Sequence, residues 1–310
     1  MKIYHDLSEV QKSDKTVLTV GTFDGVHLGH QALLNILKEK AKASGSRSMI
    51  LTFDPHPREV VFKGGDIKLL MTTAEKLRVF EDLGIDEVFI INFTHEFSEL
   101  TADEFFSKFI LNGTGIEEII VGHDHKFGKD RKGDESFIRS LAQKLGFKVT
   151  YVEAVMQNQS NISSTQVRKR LAEGDVRGAA ELLGREYEIF GEVVHGDKRG
   201  RDLGFPTANL ECDSENKILP ASGVYAALVE LDGKTMKGVV NVGRRPTFNL
   251  KDLAVEVHLL DFPGYDLYGK NLRVRFTDRI RGEMRFIAKD DLVQQIKKDI
   301  EQAKALLEKR

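Results

Sequence analysis

The 310-residue chain is 41% hydrophobic and 30% charged, with a formal net charge of -2 and one cysteine, Cys212. At about 150 residues per domain this length predicts two domains, and the near-neutral balance argues against a broadly basic nucleic-acid binder. A lone cysteine excludes an intramolecular disulfide and fits a reducing cytoplasm. The first 14 residues are polar with no hydrophobic signal core, and no apolar run approaches a membrane span. A cytoplasmic protein without a membrane partner is expected.

Residues 16–20, Thr-Val-Leu-Thr-Val, form a short β-branched run that predicts a buried strand. The decamer from Gly21 to His30 follows, and then an amphipathic helix with Leu33, Leu34 and Leu37 on its apolar face. The decamer is therefore a strand-to-helix turn, where an open parallel sheet presents a ligand to a helix N-terminus. Its glycines allow close backbone approach. His27 and His30, three residues apart, would share a face if the helix starts near His27, and both could reach one anion. Such donors suit a phosphate chain whose charge shifts during reaction.

Strand and helix then alternate. Strands are predicted at 48–53, 88–93, 119–122 and 149–155, and helices at 73–83, from the Thr101–Glu104 capping box onward, and at 136–145. The 48–53 strand ends at Asp54-Pro55-His56-Pro57, where two prolines force a loop. This alternation predicts a parallel sheet covered by helices, with ligands at the carboxyl ends of the strands. Ile162-Ser163-Ser164-Thr165-Gln166-Val167-Arg168 reads as a helix start whose free N–H groups can hold phosphate, with Arg168 offering a fork of donors. Taken alone, that string more often means a serine cap and solvated basic residues.

A last short helix at 175–183 precedes Gly184-Arg185, and it could belong to either side of the break. Short strands follow at 188–194, 224–231, 235–242, 255–260 and 272–276, with Asp232-Gly233 as a hairpin signal. Strands without intervening helices predict a separate antiparallel barrel or sandwich, dividing the chain into 1–184 and 185–310. The tail from 290 to 307 is an amphipathic helix with Leu292, Ile296, Ile300, Leu306 and Leu307 inward, expected to pack on the barrel. Within the second half, Thr207 and Asn209 place two neutral oxygens two residues apart, on one face if the chain is extended. Such oxygens suit Mg²⁺ beside nucleotide phosphates, although Pro-Thr-Ala-Asn taken alone more often means a proline turn followed by an Asn bend. Glu256 sits in an otherwise apolar strand, where an unpaired carboxylate is costly.

Several of these stretches carry a resemblance. Gly-Thr-Phe-Asp-Gly-Val-His-Leu-Gly-His resembles the FMN adenylyltransferase module of bacterial bifunctional FAD synthetases, and Ile-Ser-Ser-Thr-Gln-Val-Arg resembles a second motif of that family. Val121 to Gly128 is similar to a third, departing at His125, where the family usually has phenylalanine; the loop from Phe53 to Pro57 resembles the flavin-side loop. In the second half, Gly204-Phe205-Pro206-Thr207-Ala208-Asn209 resembles the riboflavin kinase signature. Gly223 to Ala226, Asn241 to Phe248 and Val255 to His258 agree with that module in the same order.

The resemblance implies a Rossmann-like α/β nucleotidylyltransferase domain, then an antiparallel β-barrel with a C-terminal helix. It implies ATP, riboflavin and FMN as substrates and Mg²⁺ as cofactor, held by Thr207 and Asn209. Glu256 would be the base that activates the ribityl hydroxyl, while His27, His30 and Arg168 would serve adenylyl transfer. Gly21, Phe23, Asp24, Gly25, Gly29, His56, Asp124, Ser163, Ser164, Thr165, Gly204, Pro206 and Arg245 would contact nucleotide or flavin. Two rivals stay open at this point: a nucleotidylyltransferase of the same fold for another substrate, and a non-catalytic flavin- or nucleotide-binding regulator. Oligomeric state is not legible.

Overall fold

The structure is a computed structural model, and it describes residues 1–61, 68–123, 126–157, 160–196, 200, 203–244, 253–264 and 266–308. The chain packs as two compact units, one comprising residues 1–67 and 71–163, the other 68–70 and 164–310.

The first unit is a six-stranded parallel sheet. β1 (Lys2–Tyr4), β2 (Thr16–Val20), β3 (Arg47–Asp54), β4 (Glu87–Asn92), β5 (Glu118–Gly122) and β6 (Lys148–Val152) lie in the order β1-β4-β3-β2-β5-β6. β2 is buried at every residue and pairs in register with β3 on one side and β5 on the other. Chain order therefore reverses between β2 and β5, which opens a crevice beyond their carboxyl ends. Helix α1 (Leu28–Ser44) buries Leu33, Leu34 and Leu37, the three leucines of the predicted stripe. Helices α2 (Pro57–Val61), α3 (Thr73–Asp82), α4 (His95–Ser98), α5 (Ala102–Phe105) and α6 (Glu135–Leu145) follow in chain order.

Three features differ from the sequence-based expectation. The edge strand β1 was not foreseen, because three residues carry too little periodicity to signal a strand. The helix opened by the Thr101 capping box becomes a π-helix over Phe106–Thr114, which with Phe105 buries Phe106, Phe109 and Ile110 in an aromatic core. The strand expected at 149–155 stops at Val152, and two-residue strands β7 (Met156–Gln157) and β8 (Ser160–Asn161) follow as an antiparallel pair.

The second unit is a closed antiparallel barrel, which settles the choice between barrel and sandwich. β9 (Tyr187–Val194), β10 (Ala208–Cys212), β11 (Gly223–Leu231), β12 (Lys234–Arg244), β13 (Leu253–Leu259) and β14 (Asn271–Gly282) close in the order β10-β13-β12-β11-β14-β9. Period-two alternation sends Val255, Val257 and Leu259 inward, with Tyr225, Val240, Val242 and Phe276 filling the lumen. The C-terminal helix Lys289–Leu307 packs Ala303 and Leu307 against Ala226 and Leu260, and Arg281 holds Asp299 through Nε and Nη2.

Helices α7 (Ser164–Ala172) and α8 (Val176–Leu183) pack in this second unit. Leu171 accepts the Ala221 N–H, and the Arg279 guanidinium donates to the carbonyls of Glu173 and Ser222. Residues 68–70 lie along the same unit, with Leu69 bridging Lys217.

Candidate active sites

The first site is the turn between β2 and α1. Phe23, Gly25 and Val26 have φ of 49°, 86° and 39°, so three of four consecutive residues lie in the left-handed region. Only Gly25 accepts this without strain; a β-branched valine there is an outlier that the surroundings must enforce. His27 is the N-cap of α1, its Nδ1 accepting the His30 N–H at 3.3 Å. Since Nδ1 accepts, the proton of a neutral His27 sits on Nε2. The two imidazoles stack at 3.7 Å and 17°, and His30 meets Phe23 edge-on at 5.2 Å. The expectation that both histidines would stand together is thus realised as a stack. Gly29 makes room for it, because a Cβ there would lie 3.2 Å from the His27 ring. Gly21 similarly leaves space for the Phe23 ring, at 3.0 Å.

Other proposed contacts of this half have local partners. The buried Asp24 carboxylate accepts the Met71 N–H at 3.2 Å. His56 Nδ1 accepts from the Arg58 N–H, so this imidazole caps the short helix Pro57–Val61. A cleft of about 420 Å³ opens where β5 and β6 end, lined by Val121, Gly122, His123, Lys126, Ser136 and Tyr151. Asp124 and His125 lie outside the described residues, as does Arg245. Ser163 closes the first unit, whereas Ser164, Thr165 and Arg168 open helix α7 of the second. There the Arg168 Nε donates to the Lys68 carbonyl at 3.0 Å.

Sequence reasoning missed one residue of the first site. Lys76, on α3 (Thr73–Asp82), is buried, and its Nζ donates to the Thr22 carbonyl at 3.2 Å and the Thr52 hydroxyl at 3.1 Å. A lysine on an amphipathic helix ordinarily points to water, so nothing in the local pattern marks it.

The second site lies on the outer face of the barrel. Asn209 of β10 is directly opposite Glu256 of β13, which is in turn opposite Asn241 of β12. Because cross-strand partners share a face, the three side chains form one row. Glu256 is half-buried on this outer face, and its carboxylate makes no hydrogen bond or ion pair among the described residues. Glu256 is therefore not the costly carboxylate of an apolar interior that its strand suggests: alternation turns it away from the lumen that takes Val255 and Val257.

The Gly204–Asn209 segment leads into this row. Gly204 has φ 84°, and the Phe205 N–H donates to the Gly200 carbonyl at 2.8 Å. Pro206 offers its carbonyl to His258 Nδ1 at 2.8 Å; a carbonyl only accepts, so His258 carries its proton on Nδ1. Glycines frame the oxygens: a Cβ at Gly200 would lie 3.1 Å from Thr207 Oγ1, and one at Gly196 only 2.0 Å from Asn209 Nδ2. Gly196 is a second residue whose role was not legible beforehand.

Comparison with known proteins bears on both sites. Residues 9–166 match the FAD synthetase family model, and residues 183–307 the riboflavin kinase model. The chain is 39% identical to the bifunctional riboflavin kinase/FMN adenylyltransferase of Haemophilus influenzae, covering 93% of each. With the protein of that name from Bacillus subtilis it shares 37% identity over 97% of this chain and 94% of the other. The chain belongs to the bifunctional riboflavin kinase/FMN adenylyltransferase family. It is an enzyme of that family, and the rival readings, another substrate or a regulator without catalysis, are not favoured. The family's architecture also appears in a crystal structure from Streptococcus pneumoniae, described as a macrolide-efflux protein. That structure matches with a TM-score of 0.88 and 31% identity over 97% of this chain and 98% of the other. Among the described residues of the present family member, no helix is long and apolar enough to cross a membrane.

Proposed function

We propose that this chain converts riboflavin to FMN on its barrel and FMN to FAD at its strand-to-helix turn. The observation that carries the kinase assignment is the in-register row Asn209–Glu256–Asn241 on one outer face. In the first reaction the ribityl hydroxyl of riboflavin attacks the γ-phosphorus of ATP. The bond to the β,γ-bridging oxygen breaks, ADP leaves, and Glu256 takes the hydroxyl proton. A carboxylate with no hydrogen-bond or ion-pair partner among the described residues suits that task, given hydrogen-bond reach to the hydroxyl.

Thr207 and Asn209 fit Mg²⁺ by donor chemistry: a hydroxyl and an amide oxygen, neutral and hard, beside the carboxylate that must stay available as base. When bound, Mg²⁺ would neutralise phosphate charge. The residues themselves position: Gly196 and Gly200 leave space for the two oxygens, and His258 holds the Pro206 carbonyl next to Thr207.

In the second reaction an FMN phosphate oxygen attacks the α-phosphorus of a second ATP, and pyrophosphate leaves. That nucleophile is already ionised, so no general base is required. His27 and His30 contribute by placing donors at the helix N-terminus, where charge collects on phosphoryl oxygens. Ser163, Ser164, Thr165 and Arg168 are proposed to offer N–H and guanidinium donors to phosphate. Gly21, Phe23, Asp24, Gly25, Gly29, His56 and Asp124 are proposed to shape the nucleotide and flavin pocket, and Gly204, Pro206 and Arg245 that of the kinase.

The functional boundary is proposed at 184/185, supported by the kinase model's beginning at residue 183. A cytoplasmic setting with small-molecule substrates and neither nucleic-acid nor membrane partners fits one cysteine and a net charge of -2. Purified full-length protein given riboflavin, ATP and Mg²⁺ should accumulate FMN, then FAD. Failure to make FMN, or to convert supplied FMN to FAD, removes the corresponding half of the proposal.

A further inference from the structure

Beneath the 21–27 turn lies a lysine that the mechanism above does not use. Lys76 is 6% exposed and reaches the turn from α3, its Nζ donating to the Thr22 carbonyl and to the Thr52 hydroxyl of β3. The Thr22 carbonyl immediately precedes Phe23, the first left-handed residue of the bend that ends in His27. One helical turn further along α3, Phe80 packs edge-on against Phe23 at 5.7 Å. The same helix thus grips the bend twice, once by charge-assisted hydrogen bond and once by ring packing. A left-handed phenylalanine and valine persist only when neighbours over-determine the backbone, and Lys76 supplies one such restraint.

Resting on the adenylyltransferase reading above, we propose that Lys76 is a positioning residue for adenylyl transfer: it holds the turn that presents His27 and His30. A filler for this position would be methionine or leucine, since burying an ammonium opposes folding. Its charged surroundings are specific. Asp24 faces it from the turn and Asp54 from the end of β3; on its own helix, the neighbouring Glu75 is engaged in the capping box with Thr72. Burial pushes the Lys76 ammonium down to about 8, with Asp24 and Asp54 opposing that fall. The protonated form makes the stronger hydrogen bond and also favours a polyphosphate at the turn. Adenylyl transfer should therefore weaken as pH rises through that value.

The test measures FMN adenylylation by the full-length protein from pH about 6.5 to about 9.5, spanning the Lys76 value. Riboflavin phosphorylation by the same molecules serves as internal control. Lys76→Met should lower kcat for FAD formation by roughly tenfold to a hundredfold, the cost of a misplaced constellation, with smaller changes in KM. Its alkaline limb should vanish while FMN formation is unchanged. Thr52→Val, nearly isosteric, removes one acceptor of the ammonium and should move the alkaline limb to lower pH. Substrate ionisation is common to all three proteins and cancels. FAD formation by Lys76→Met at the wild-type kcat, or superposable limbs for Thr52→Val and wild type, overturns the inference. Should Lys76→Met fail to fold, Thr52→Val decides alone. A wild-type protein that makes no FAD from FMN instead overturns the functional reading itself.

Discussion

Gly196→Ala offers a test of the kinase site that leaves every proposed metal or catalytic side chain chemically unaltered. Gly196 lies two residues beyond β9, whose Val194 is paired with Asn209. A methyl at this position would stand 2.0 Å from Asn209 Nδ2, 2.4 Å from Cγ and 2.6 Å from Oδ1. Ordinary contact between such atoms is about 3.5 Å, so the amide must move by more than about 1 Å. Asn209 is only 8% exposed and sits between Val194 and Glu256, so a swing carries it off the row. Gly196 does not have positive φ, so alanine introduces no backbone strain of its own. A displacement of that size in a positioning group costs roughly a hundredfold in rate, or about 2.7 kcal/mol of activation free energy. The assay follows FMN formation from riboflavin at saturating ATP, with FAD formation from FMN in the same sample as reference. Raising Mg²⁺ should recover part of the loss, because a ligand has been displaced and the base kept. Gly233→Ala is the control: its φ of 76° strains the hairpin, but no atom lies within 4 Å of the added methyl. It should cost stability without touching FMN synthesis. A Gly196→Ala enzyme phosphorylating riboflavin at wild-type rate would show that Asn209 need not occupy this position.

Glu256→Gln keeps shape but cannot take a proton, and should lower FMN formation by roughly a hundredfold to ten-thousandfold; an unchanged rate in a phosphorylation assay would demote Glu256 to a surface carboxylate. His30→Ala and Arg168→Ala should each cut FAD formation roughly a hundredfold to a thousandfold, as for loss of one preorganised donor. FMN formation should be spared, and equal losses in both activities would contradict separate sites. Lys76 also predicts a stability signature. Its folded value of about 8 lies below the ordinary 10.5, so between those values only the unfolded chain retains the proton. Wild type should gain on Lys76→Met by about 3 kcal/mol as pH rises through that window; denaturant titrations showing a pH-independent gap would refute the burial argument.

Much of this protein was legible in the sequence because the relevant physics is local. The run from Thr16 to His30 declares strand, turn and helix through β-branching, glycines and leucine spacing, each set by neighbours within a few residues. Strand β10, by contrast, was not among the expected strands, so the place of Asn209 opposite Glu256 came only with the barrel. The rest depended on partners distant in sequence. Glu256 could be read as a costly carboxylate in an apolar strand until barrel closure decided which face is the lumen. Helices α7 and α8 continue the first half's α/β rhythm, yet Leu171, Glu173 and Arg177 find their partners at Ala221, Arg279 and Asp278. Lys76 shows the limit most clearly. Its helix pattern marks an ordinary lysine, and only the parallel sheet brings it the carbonyl of Thr22 and the hydroxyl of Thr52. Periodicity is a property of the chain alone, whereas burial of a charge is decided by whichever distant segments close over it.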